Sequence, residues 1–259
     1  MTLKFGDGPV PVVLIHASGS GAQQMAPLAR MLVAEENSLQ VSIPDLCGYA
    51  GVVAKTPRNP IQDHLSILAP IVANFNRPCF IIGHSMGGFL ALKLATTLST
   101  TQFKNRVLGI VAIEPTAFGM LTDHSDDIVR KQDQDVINQM RELVEMGKPG
   151  LGIACFIEFW NQTPWLKIPQ TVRDRLQTLA PQILTEASAI SADRTSDYSI
   201  DVPVHLMVGQ NSPLPAQRIV TRLSQALSCV SVERIAGVGH MSLLRNPEKF
   251  VPGILKIVR

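Results

Sequence analysis

Between Cys79 and Ala95 the chain changes its period within five residues. Phe80, Ile81 and Ile82 form an apolar run of the kind found in strands buried on both faces. Gly83-His84-Ser85-Met86-Gly87 follows, and Phe89 to Ala95 is rich in Ala and Leu, which favour helix. The reading is strand, sharp turn, helix. A serine at the apex of such a turn sits in strained backbone, its hydroxyl lifted above the sheet and the neighbouring N–H groups at the helix start. Glycine is required two residues to either side, because a Cβ there would strike the adjacent strand or helix. Ser85 is therefore read as a candidate nucleophile, against the plainer reading of an ordinary tight turn.

The flanking chain has a matching rhythm. Val10 to Ile15 reads as a buried strand and ends in the polar loop His16-Ala17-Ser18-Gly19-Ser20-Gly21. From Ala22 to Glu36, Met25, Leu28, Ala29, Leu32 and Val33 recur at helical spacing. Leu39 to Pro44 alternates as a strand does, and a helix from about Ile61 to Phe75 leads into the strand before Ser85. Strands alternating with helices imply right-handed crossovers and an α/β fold: a mainly parallel sheet with helices on both faces.

Arg106 to Ile113 is another buried strand, and Glu114-Pro115 ends it at the carboxyl edge, where ligands bind in open α/β sheets. Residues 118–198 carry no strand pattern. They hold amphipathic stretches at Ile128 to Met146 and Val172 to Ala189, with Phe156, Phe159, Trp160 and Trp165 between. This segment is expected to be a helical cap, or lid, inserted into a core made of 1–117 and 199–259. The core pattern resumes at Val202 to Gly209, continues through a helix near Ala216 to Leu227, and ends with a strand at Val230 to Ile235. The loop Ala236-Gly237-Val238-Gly239-His240 then sets His240 at the same sheet edge as Ser85 and Glu114.

Bulk properties narrow the partners. The 259 residues are 46% hydrophobic and 17% charged, enough for one large core, and the net charge of +2 with scattered Lys and Arg gives no footprint for nucleic acid or an anionic membrane. Residues 1–7 lack an apolar signal segment, and the run 10–17 is too short to span a bilayer and is interrupted by Pro11. A cytoplasmic location is the expectation. Cys47, Cys79, Cys155 and Cys229 lie far apart without metal-ligand spacing and read as free thiols, with the Cys47 loop near the ligand edge. The sequence leaves oligomeric state open, a homodimer included.

The chemistry that uses a serine, an imidazole and a carboxylate together is acyl transfer. A neutral imidazole takes the hydroxyl proton during attack and returns it to the leaving group, while a carboxylate on the far ring nitrogen fixes the tautomer. Ser85, His240 and Glu114 are the candidates for these roles. The oxyanion of the tetrahedral intermediate needs preorganised donors, for which the backbone N–H of Met86 and one from Ser18 or Ala17 are placed by the pattern.

Taken together, Gly-His-Ser-Met-Gly-Gly (83–88), His16-Ala17-Ser18-Gly19, Pro44-Asp45-Leu46-Cys47-Gly48-Tyr49 and Gly237-Val238-Gly239-His240-Met241 resemble the nucleophile, oxyanion, Asp-Leu-Pro-Gly-Tyr-Gly and histidine loops of the α/β-hydrolase superfamily. The resemblance covers nearly the whole chain. It implies that Ser85 and His240 are catalytic and leaves the substrate unspecified. One departure stands out: most members carry the acid after the penultimate strand in Gly-x-x-Asp-Pro, where this chain has Gly209-Gln210-Asn211-Ser212-Pro213. A minority take it from the strand after the nucleophile helix, the position of Glu114.

Plainer roles are expected elsewhere: packing for His84, ordering of the oxyanion loop and the substrate side for His16, a turn for Asp45, and an exposed helix start for Asp63 and His64. Asp123, His124, Asp126 and Asp127 are read as a helix start rather than a metal site, so neither metal nor cofactor is expected. Phe156, Phe159, Trp160 and Met241 are the candidates for contact with substrate, although cap aromatics at helical spacing can equally form the cap's own core. The function expected is hydrolysis of small or medium apolar acyl esters. Cleavage of C–C bonds or lactones, acyl transfer, and a low-turnover ligand-binding pseudo-hydrolase are the alternatives.

Overall fold

The structure, a computed structural model, describes residues 1–53 and 59–259. Seven strands form one sheet in the order β1-β3-β2-β4-β5-β6-β7: β1 (Thr2–Phe5), β2 (Val10–Ile15), β3 (Leu39–Pro44), β4 (Cys79–His84), β5 (Val107–Ile113), β6 (Val204–Gly209) and β7 (Val230–Ile235). All neighbours are parallel except β1, which runs antiparallel against β3. β1 has no counterpart among the strands expected from the sequence. Its four residues lie at an edge and are half exposed, so they carry no buried apolar run.

The two-residue period of the strands divides the core into two layers. Val13, Ile15, Ile81, Ala112 and Leu206 face one side, against α2 (Pro60–Ala73), α3 (Met86–Ser99) and α7 (Leu214–Ala226). Val12, Leu14, Ile82, Val111 and Met207 face the other, against α1 (Ala22–Glu35) and α9 (Val251–Val258), which follows the one-turn α8 (Ser242–Arg245). Both faces of the central strands are dry, as their continuous apolar runs require.

Between β5 and β6 lie α4 (Asp127–Glu145), α5 (Pro149–Asn161) and α6 (Gln170–Ala192), with no strand. They share a small core of their own around Met140, Ile153, Leu176 and Ile183. Ion pairs tie this segment to the rest at both ends. At its entry the fully buried Asp126 carboxylate takes Arg218 and Arg222 of α7 at 2.8 Å each, and at its exit Asp193 takes Lys93 of α3 at 2.9 Å. Asp126 thus joins two elements instead of merely starting a helix. One expectation is corrected and another extended. His64 is buried, 1% exposed, on the face of α2 that packs inward. Asp45 does more than shape a turn, since it accepts the Ala22 N–H at 2.9 Å and so caps α1 from a distant loop.

Candidate active site

The turn at Ser85 follows from sterics. A Cβ on Gly83 would lie 2.1 Å from the Gly87 carbonyl oxygen, and one on Gly87 would lie 2.3 Å from that of Ile15. With both positions bare, β4 passes directly into α3. Ser85 adopts φ 56°, ψ −118°, left-handed backbone that a non-glycine residue rarely accepts. Glu114 at the end of β5 is strained in the same way, with φ 48°.

Three loops bring their side chains into one chain of contacts. His240 Nε2 lies 3.0 Å from Ser85 Oγ, and His240 Nδ1 lies 2.6 Å from Glu114 Oε2. All three are buried, Glu114 completely. The other carboxylate oxygen, Oε1, accepts the Gly209 N–H at 2.8 Å and the Ser212 hydroxyl at 2.7 Å. Ser212, which stands where an acid is usual after the penultimate strand, here donates to an acid that arrives from β5. Burial alone would raise the Glu114 carboxyl. The hydrogen bond and charge of His240, with the Ser212 and Gly209 donors, outweigh it and hold the group below the ordinary carboxylate range.

Because Glu114 accepts from Nδ1–H, His240 Nε2 is left with a lone pair toward the Ser85 hydroxyl. His84 donates from Nε2 to the His240 carbonyl oxygen at 2.8 Å and so fixes the backbone of that loop. Trp160 lies over the imidazole with ring centroids 4.7 Å apart. His84 and His16 are both pushed down to about 4, burial being the largest cause, so both are neutral at ordinary pH.

His240, Ser85, Met86, Ala17 and Ser18 line one cavity of about 170 Å³ beneath α4, α5 and α6. The Ser18 N–H makes no hydrogen bond among the described residues. Met86, as the first residue of α3, has no intrahelical acceptor for its N–H. Phe156, Trp160 and Met241 also line the cavity. His16 and Phe159 do not. The His16 ring is used up on the Leu46 N–H and the Ala17 carbonyl oxygen, at 3.1 and 2.8 Å, and Phe159 packs edge-on against Trp160 at 5.6 Å.

Sequence reasoning missed Glu186, fully buried on α6. Its Oε2 accepts from the Ser18 and Tyr49 hydroxyls, the latter at 2.8 Å, and Tyr49 in turn accepts the Gly19 N–H at 2.8 Å. One carboxylate on the roof therefore holds the loop that carries Ser18. A Glu amid Ala and Leu on an amphipathic helix was the available signal. No group of three or more His, Cys, Asp or Glu among the described residues is placed to hold a metal ion, and no helix among them is long and apolar enough to cross a membrane.

A profile described as the alpha/beta hydrolase family matches residues 12–252. The chain belongs to the alpha/beta hydrolase family. Membership places it among hydrolases, and the sheet order and mainly parallel topology agree with it. Solved alpha/beta hydrolase-like structures superpose over almost the whole length. MenH from S. aureus has a TM-score of 0.74 at 13% identity, covering 99% of this chain and 97% of that one. An esterase from Exiguobacterium antarcticum has a TM-score of 0.72 at 17% identity, with coverage of 99% and 94%. A thermophilic esterase from Thermogutta terrifontis has a TM-score of 0.71 at 18% identity, with coverage of 99% and 91%. At such identities the likeness speaks for the fold. No curated protein matches this alpha/beta hydrolase.

Proposed function

We propose that this alpha/beta hydrolase cleaves carboxylic esters through an acyl-enzyme on Ser85. The observation that carries the reading is the relay from Ser85 Oγ through His240 to Glu114, at 3.0 and 2.6 Å, opening on a cavity of acyl size. His240 Nε2 takes the Ser85 proton as Oγ attacks the ester carbonyl, and Glu114 stabilises the imidazolium that forms. The developing oxyanion is received by the N–H groups of Met86 and of Ser18 or Ala17. His240 then protonates the leaving alkoxide, and a water activated by the same nitrogen releases the acid.

Residues 118–198 serve as the cap, a roof that excludes water from the relay. A cavity of about 170 Å³, close to the roughly 150 Å³ that accommodates a benzene ring, suits short acyl chains. Hydrolysis of a p-nitrophenyl ester chain-length series tests the reading: turnover highest for short chains and abolished in Ser85→Ala supports it, and no turnover of any member by the folded wild type refutes it.

A further inference from the structure

Apart from the relay, the cavity wall is largely apolar, yet four of its residues each carry a buried polar atom with no partner among the described residues: Thr116 Oγ1, Asp133 Oδ2, Trp160 Nε1 and Asn161 Oδ1. Native interiors rarely leave such groups unpaired, and four of them on residues that line one cavity point to a partner that the protein does not supply. Asp133 is the sharpest case. It continues the buried stripe of α4 formed by Val129, Ile137 and Met140, where an aliphatic residue would pack without penalty. It is 2% exposed, and no Lys, Arg or His among the described residues forms an ion pair with it. Burial pushes its carboxyl up to about 7, and the neighbouring Ser191 hydroxyl offsets only part of that.

We propose that the acyl group of the substrate carries a hydroxyl that hydrogen-bonds Asp133, which makes Asp133 a specificity-determining residue for short hydroxyacyl esters. A hydroxyl donates to an ionised Asp133 or accepts from a protonated one, donates to Asn161 Oδ1 and accepts from the Trp160 N–H. An ammonium group offers no acceptor and would share the cavity with the Arg175 guanidinium, which has no carboxylate partner among the described residues. A carboxylate offers no donor to Asn161 Oδ1. The inference rests on the ester-hydrolase reading of Ser85 and deepens it.

The test compares kcat/KM for p-nitrophenyl hexanoate with that for its 6-hydroxyhexanoate and 3-hydroxybutanoate counterparts, in wild type, Asp133→Leu and the size-conserving Asp133→Asn. Wild type is expected to favour the better hydroxyacyl ester about tenfold, the worth of one hydrogen bond to a carboxyl group. The preference should vanish in Asp133→Leu; if that variant does not fold, it should shift at least threefold in Asp133→Asn. A wild type that prefers hexanoate, or a preference unchanged by substitution at 133, overturns the proposal and leaves the esterase reading intact. If no ester is turned over, calorimetric titration of Ser85→Ala with 1,6-hexanediol and with 1-hexanol decides the subsite alone. Tighter binding of the diol that disappears in Ser85→Ala/Asp133→Leu supports it, and equal binding overturns it.

Discussion

Replacing Glu114 by Gln should lower kcat by about 10⁴, and the hydrogen bonds around the carboxylate show why. Oε1 receives two donors, one of them the Gly209 N–H, which cannot turn round to accept. In the variant the amide oxygen must therefore take the Oε1 place, and the NH₂ group is directed at His240 Nδ1, 2.6 Å from the native Oε2. Nδ1 becomes an acceptor, the ring proton moves to Nε2, and the lone pair that receives the Ser85 proton is gone. A serine triad forced into the wrong tautomer loses about 10⁴ in kcat, roughly 5 kcal/mol of barrier. The assay is steady-state ester hydrolysis alongside the second-order rate of Ser85 phosphonylation, with near-UV circular dichroism to establish folding. Turnover within tenfold of wild type in a folded Glu114→Gln protein would refute the reasoning.

Glu186→Ala should lower kcat about tenfold or more while KM moves less than threefold, because a loosened Ser18 loop weakens stabilisation of the oxyanion and little else. A reduced melting temperature with unchanged kcat would reduce Glu186 to a packing role. Stability should also fall between pH 6.5 and about 4. His16 and His84, held neutral down to about 4 in the fold and titrating near 6.5 when unfolded, each contribute up to about 3 kcal/mol that disappears as pH falls through this window. Asp133, whose carboxyl stays protonated in the fold up to about 7, works with the opposite sign. Denaturant titrations should therefore show a steeper loss on acidification in Asp133→Asn, and a flat profile in both proteins would contradict the assignment.

Much of this was legible in the chain because the strands are buried on both faces and the turns need glycine. The apolar runs at 10–15, 79–84 and 107–113 each became a central parallel strand, and the glycines at 83 and 87 marked a close approach that the backbone confirms. β1 was hidden by its half-exposed edge. His64 was misjudged, and the burial of Asp126 at its helix start went unread, because burial of a polar residue depends on partners distant in sequence: Glu186, 3.3 Å from His64, lies 122 positions away, and Arg218 and Arg222 lie on a helix of the resumed core. The left-handed backbone at Glu114 likewise has no signature in residue type, although Pro115 marks the end of the strand. Which aromatics of α5 face the cavity is decided by the rotation of that helix, and this separates Phe156 and Trp160 from Phe159.

The central claim is that Ser85 is a nucleophile activated by His240. Intact-mass measurement after exposure to a small alkyl fluorophosphonate tests it most directly. A single adduct that maps to Ser85, absent from Ser85→Ala and formed at least a hundredfold more slowly in His240→Ala, is the predicted result. A folded wild-type protein that gains no mass at Ser85 would contradict it.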